Sequence, residues 1–315
     1  MSGISSGGSE SCLTGARSIA CYHEVLLPAS DRPSKSVFVV SGIVLQRWRV
    51  SLCCVGLLAT ALCPGMAHAG ECPSPQSEIA TDRPDVTNSS LVVPDGSIQI
   101  ENGLNTSGQS AGKGFDGSNS RLRFGIAPCL EVLVDVPSHV GRLTGTVDSG
   151  FTNVTPGVKW QVSGLPEPAN LSVVFGVGLP TGTPAITGAG LQPYLQFPWS
   201  YELGGGWGIS GMFTSFFRPS DLANHQTSEA TFVLERKVSE KLALFAEYVS
   251  DTPSRGASTA LFNVGGGYLL NRTEQLDFHL AFGLNRNSPD YIIGVGYSYR
   301  WDNVIGTAMR PMLRH

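Results

Sequence analysis

The stretch QLDFHLAFGLN at residues 275–285 alternates without a break. Leu276, Phe278, Leu280, Phe282 and Leu284 point one way, and Asp277, His279, Ala281, Gly283 and Asn285 point the other. Such a strand seals one face and wets the other. Working outward from it, most of the chain beyond residue 96 repeats the pattern in pieces of about ten residues divided by turn chemistry, the signature of a transmembrane β-barrel. We expect strands at about 96–104, 118–127, 129–137, 152–162, 170–179, 191–203, 207–217, 228–236, 241–250, 258–270, 275–285 and 290–301. The implied fold is all-β, an antiparallel up-and-down transmembrane barrel of about 12 strands spanning residues 96–301.

The alternation also fixes the facing. Leu122, Phe124 and Ile126 oppose Arg121, Arg123 and Gly125, and Val158, Trp160 and Val162 oppose Lys159 and Gln161. Tyr291, Ile293, Val295, Tyr297 and Tyr299 oppose Gly294, Gly296, Ser298 and Arg300. A cation turned toward lipid near the bilayer midplane costs about 2–4 kcal/mol, so the charged phase belongs in the lumen. Aromatic residues near the strand ends, among them Trp199, Trp207, Tyr248, Tyr268 and Trp301, suit interfacial girdles. A soluble β-sandwich alternates too, but its apolar face is interrupted where strands switch sheets, whereas here it persists in nearly every segment.

Composition agrees. The 315 residues include 38 glycines and are 15% charged, against about 25% charged in an ordinary soluble domain. Of 21 Lys and Arg and 25 Asp and Glu, 16 and 22 lie from Gly70 onward, a net of −6. With no basic cluster interleaved with aromatics, nucleic acid is excluded as a partner.

Residues 1–69 read as an N-terminal extension and a secretory signal peptide. Within about 44–69, Arg47-Trp48-Arg49 supplies positive charge, Val50–Cys63 an apolar run, and Ala67-His68-Ala69 a small-x-small cleavage site. The alternative is a short membrane anchor, but Pro64-Gly65 closes the run early. Translation from a non-standard codon near Val44 or Leu45 would account for residues that fit neither reading. Five of the seven cysteines fall in this leader, leaving Cys72 and Cys129 either to bond or to stand as ordinary residues. Residues 70–95 are polar and proline-rich, a lead-in or an internal plug, and residues 302–315 form a C-terminal tail.

Two stretches carry a family resemblance. TDRPD at 81–85 with VPDGSIQIENGL at 93–104, and QLDFHLAFGLNRNSPDYIIGVGYSYR at 275–300, resemble the opening and the closing hairpin of bacterial outer-membrane proteins of the "MetA-pathway of phenol degradation" family. The resemblance implies an outer-membrane channel or transporter for passive uptake of small molecules, aromatic or hydrophobic compounds among the candidates. Membrane lipid, a small-molecule solute and the outer-membrane barrel assembly machinery would be its partners. Such barrels usually end at the aromatic of the last strand, so with the tail present the machinery would read Tyr299 or Trp301 internally.

The lumen-facing candidates for solute contact are Arg121, Arg123, Glu131, Asp135, Lys159, Glu235, Glu247, Asp277, His279 and Arg300. Both signs are present, as in a mixed-charge constriction that orients polar solutes. The bland alternative is that they pair across neighbouring strands and fill a narrow lumen. Lumen-facing glycines, including Gly125, Gly176, Gly265, Gly294 and Gly296, suggest room for a passage. Two rival functions remain: a lipid-acting hydrolase or acyltransferase, and a structural barrel with a filled lumen. His139, His225 and His279 are the histidines available for catalysis within the barrel, and no nucleophile-elbow serine accompanies them. No motif points to a metal or nucleotide cofactor.

Overall fold

The computed structural model describes residues 72–304, apart from 147, 189, 221 and 222, together with a short hairpin of Ser11–Gly15 and Ser18–Tyr22. The signal peptide expected at 44–69 and the tail beyond Val304 lie outside the described residues.

Fifteen ladder segments form one sheet that closes on itself. Three of the barrel staves consist of two segments each, so the closed antiparallel barrel has 12 staves. They are β1 (Ile98–Gln109), β2 (Gly112–Gly117 and Arg121–Ala127), β3 (Leu130–Asp135 and His139–Gly145), β4 (Gly150–Phe151 and Thr155–Gln161), β5 (Ala169–Gly178) and β6 (Gln192–Gly204). The second half comprises β7 (Trp207–Ser220), β8 (Ala223–Lys237), β9 (Leu242–Pro253), β10 (Thr259–Asn271), β11 (Glu274–Gly283) and β12 (Tyr291–Trp301). Closure runs from Tyr291 opposite Gly108 to Trp301 opposite Ile98, leaving no free edge along the whole of β12.

Away from the outer ends the strands lie where the alternation places them, and the facing follows. On β11, Leu276, Phe278 and Phe282 are exposed on the outer wall while Asp277 and Ala281 are buried inside. Arg121 and Arg123 on β2, Lys159 on β4 and Arg300 on β12 are all buried on the inner side. A one-residue slip would exchange the two sets in full.

The structure departs from expectation at the outer ends. The span 105–118 is expected as a loop, but β1 continues to Gln109 and pairs with Gly112–Gly117. Its tip, Ser110-Ala111-Gly112-Lys113-Gly114, is small enough for a tight reversal, and the ladder continues through polar residues. The connection after β5 carries a single helical turn, α1 (Pro184–Thr187), whose Ile186 packs on the lumen-facing Val140 of β3. At the opposite rim Gly204, Gly205 and Gly206 all have positive φ, a run other residues rarely adopt, and turn β6 back into β7.

The core sits inside the barrel. Leu133, Val174 and Tyr194 form one apolar patch with Phe216 against it, and Val249, Leu261, Ala281 and Ile292 form a second. The glycines expected to leave a passage are filled instead: a Cβ on Gly294 would enter the His279 ring, one on Gly176 the Tyr194 ring, and one on Gly125 the Val93–Pro94 backbone. Neighbouring strands and the segment before β1 take the room those glycines release.

A buried ionic network between the lumen wall and the segment before β1

Cys72 is joined to Cys129 in the turn between β2 and β3, with Cα atoms 5.3 Å apart, so the alternative of two ordinary cysteines does not hold. From this anchor the chain enters the lumen and returns to Pro94, where Gly96 and Ser97 hydrogen-bond to Gly125 and to Pro94 before β1 begins. Its hydrogen bonds reach the inner face of most of the barrel. Ser90 takes a bond from Ser172 on β5 and pairs with Ser200 on β6, Asn88 donates to Gln196 on β6, and Thr87 meets Thr231 on β8.

Asp82 is the hub. Its carboxylate lies 2.9 Å from Arg121, 3.2 Å from Lys159 and 3.5 Å from Arg123, and all four side chains are almost completely buried. Each arginine also holds a wall carboxylate in a two-pronged bond. Arg121 pairs with Asp135 at 2.5 and 2.8 Å, and Arg123 with Glu131 at 2.9 Å through both prongs. Arg123 further donates to Glu101 at 2.9 Å and to the carbonyls of Ala80 and Leu91. Two-pronged guanidinium–carboxylate pairs fix orientation as well as charge. Without them, three cations taken out of water would be prohibitive.

Arg83 forms a second contact, 3.3 Å from Asp277 on β11. Its guanidinium lies where a Cβ on Gly103 would be, and Gly296, the cross-strand partner of Gly103, leaves space for both Arg83 and Asp277. Glu247 on β9 gathers four donors: the amides of Val86 and Thr87 at 3.0 and 2.9 Å, the Thr87 hydroxyl at 2.8 Å and Asn263 at 2.9 Å. Val86 packs against the Val249 patch. At the rim Arg300 donates to the carbonyls of Ser77 and Glu78 and to Asp302. Burial pushes the Asp302 carboxyl up, but hydrogen bonds from Arg300 and Arg272 outweigh it and hold the group below the ordinary carboxylate range.

The ten sequence candidates therefore fall into distinct places. Arg121, Arg123, Glu131, Asp135 and Lys159 form one cluster around Asp82, and Asp277, Glu247 and Arg300 each hold the segment separately. His279 lies between Asn263 and Asn105, 3.2 Å from each. Glu235 is exposed in a cavity of about 460 Å³ between residues 77–91 and the inner face of β6–β10, with Glu202 and Lys241. His139 sits between Phe115 and Phe151, tilted against the first and edge-on to the second, with ring centroids 5.6 and 5.0 Å away. Among the described residues no group of three or more His, Cys, Asp and Glu is arranged to hold a metal ion. Asp82, Arg83, Gln99 and Glu101 complete the network and are not among the sequence candidates; the clue was Arg83, the one cation between residues 70 and 95, set between Asp82 and Asp85.

Residues 81–301 match the model of the family described as "Putative MetA-pathway of phenol degradation". The chain belongs to this family. Among solved structures, an outer membrane channel from Pseudomonas putida F1 aligns with 67% of the chain and 97% of its own length, at 16% identity and a TM-score of 0.50. The NanC porin aligns at 7% identity (64% of this chain, 98% of its own, TM-score 0.48), and the KdgM porin at 9% (64% and 98%, TM-score 0.44). No curated protein sequence matches the chain. This member of the family thus has the fold of an outer-membrane barrel, with the segment that opens the family match, Thr81 to Asp85, at the centre of its lumenal network.

Proposed function

We propose that the protein is an outer-membrane channel for passive uptake of small molecules, exported by residues 44–69 and inserted by the barrel assembly machinery, in which residues 72–95 act as a plug. The observation that carries this reading is the seating of residues 80–93 on the inner wall through an ionic hub at Asp82. A barrel needing only a filled core is more stably packed with apolar residues than with buried ion pairs. A polar interior that a displaceable segment neutralises suits a lumen that also exists hydrated. When the plug withdraws, Arg121, Arg123, Lys159, Arg300, Asp277 and His279 line the path, with Glu131 and Asp135 still paired to the arginines.

Aromatic solutes are favoured by family membership and by the two apolar lumen patches around Tyr194 and Leu261. Those same patches favour the second reading, a structural barrel with a permanently filled lumen. Planar-bilayer recording separates the two. The full-length protein should give rare, brief openings, and a variant lacking residues 76–93 sustained conductance that soluble aromatics such as phenol reduce. Silence from a correctly folded deletion variant would overturn the channel reading in favour of the filled barrel. Hydrolysis of a lipid ester by the purified protein would favour a lipid-acting enzyme instead.

A further inference from the structure

The charges of the lumen are segregated. The cations of the network come from β2, β4 and β12 and from Arg83, and carboxylates answer them there. Across the lumen, the inner faces of β6–β9 carry Glu202, Glu229, Glu235, Glu247 and Asp251. Lys237 and Lys241 are the described cations at the cavity on this side, outnumbered by the carboxylates, and Glu78 engages Lys237 at 3.2 Å.

The carboxylates form a column. Glu202 and Glu235 line the cavity of about 460 Å³ below the plug. Glu247 stands where the plug touches the wall. Above it Glu229 and Asp251 sit directly opposite each other on β8 and β9, 0% and 3% exposed. Neither oxygen of Glu229 makes a well-formed hydrogen bond, with the Thr214 hydroxyl and the Asp251 carboxyl the polar groups beside it. Thr214 and Thr259 flank the pair in register, and Thr259 donates to Asp251 at 3.4 Å. Two adjacent buried carboxylates, one without a well-formed hydrogen bond, are an arrangement that a positive charge completes.

We infer that the β6–β9 wall is the cation-attracting side of the conduction path, with Glu229 and Asp251 as a binding site for small monovalent cations, solutes bearing a primary ammonium group included. The inference rests on the channel reading and names its substrate class. The cavity lies on this side, lined by residues 77–91 and the inner faces of β6–β10. A path lined by one sign concentrates counter-ions by about tenfold or more and loses that preference as salt screens it.

The test uses the full-length chain carrying Asp82→Asn to free the plug, in planar bilayers under a gradient of potassium chloride and then of ethanolamine hydrochloride. The reversal potential should report a cation-to-chloride permeability ratio of about ten, falling toward one in 1 M salt. Adding Glu229→Gln with Asp251→Asn should abolish the preference at low salt. Glu235→Gln, at an exposed position, should reduce it in part and covers the case in which the buried double variant does not fold. Open channels that prefer chloride, or whose preference survives both sets of substitutions, overturn this inference and leave the channel reading standing. A membrane that stays silent with every variant, the plug deletion included, overturns both.

Discussion

Replacing Asp82 with asparagine keeps the shape of the hub and removes its charge. Arg121 retains Asp135, and Arg123 retains Glu131 and Glu101, whereas Lys159 loses the anionic charge of its hydrogen-bonded partner at 3.2 Å while fully buried. Breaking a buried pair by removing one partner costs about 3–5 kcal/mol. The barrel wall cannot move to relieve this, because Lys159 is fixed by ladders to β3 and β5. On the channel reading the segment before β1 can move, and its withdrawal would hydrate the lysine. The seated population should therefore fall relative to the open one by about 150- to 5000-fold, the factor that this energy sets. Two assays report it: open probability in planar bilayers, and proteinase K cleavage between residues 76 and 93 of protein folded in micelles. Both should rise together while the barrel keeps its heat-resistant migration on gels. Unchanged cleavage and unchanged conductance in a folded Asp82→Asn barrel would refute the view that this carboxylate holds the plug.

Gly103→Ala places a methyl group inside the Arg83 guanidinium, so Arg83 must leave Asp277; overpacking of this kind costs about 1–3 kcal/mol and should raise proteinase K cleavage without reaching the effect of Asp82→Asn. Glu247→Gln weakens charge-assisted bonds to Val86 and Thr87, each worth about 1.5–3 kcal/mol, and amide hydrogen exchange should accelerate at those two residues while Asp82 stays protected. Phe278→Lys turns a cation toward lipid at an outer position that is 52% exposed; it should cost about 2–4 kcal/mol and lower the urea midpoint of folding into vesicles, whereas the same change at an outer-rim position should have little effect.

How much of this was legible in the sequence depends on range. The strand period is local, so Leu276 to Leu284 reveal their facing from eleven consecutive letters, and the cost of a lipid-facing charge then assigns the lumen. The disulfide and the network are not local. Arg121 meets Asp82 across 39 positions, and Arg83 meets Asp277 across 194; nothing in either neighbourhood names the other. The lumen-facing glycines were misread for a related reason. A missing side chain announces space but not its occupant, and at Gly294 the occupant is His279 from the next strand. Asp251 escaped notice because β9 runs past its expected end at residue 250, and Glu229, inside an expected strand, gains its meaning only from the register that sets the two opposite each other.

The bond between Cys72 and Cys129 has a kinetic meaning. With Cys72 tied to the β2–β3 turn and Ile98 already in the wall, the plug is a loop pinned at both ends on the same rim. About 25 residues at roughly 3.4 Å each can fold up into the barrel and back, but cannot diffuse away. On the channel reading the plug would therefore behave as a ligand at fixed effective concentration, and its recapture would be a unimolecular event. Closing would be indifferent to dilution and to the number of copies in the membrane, and cutting the tether would turn a gate that resets itself into one that opens more readily than it shuts.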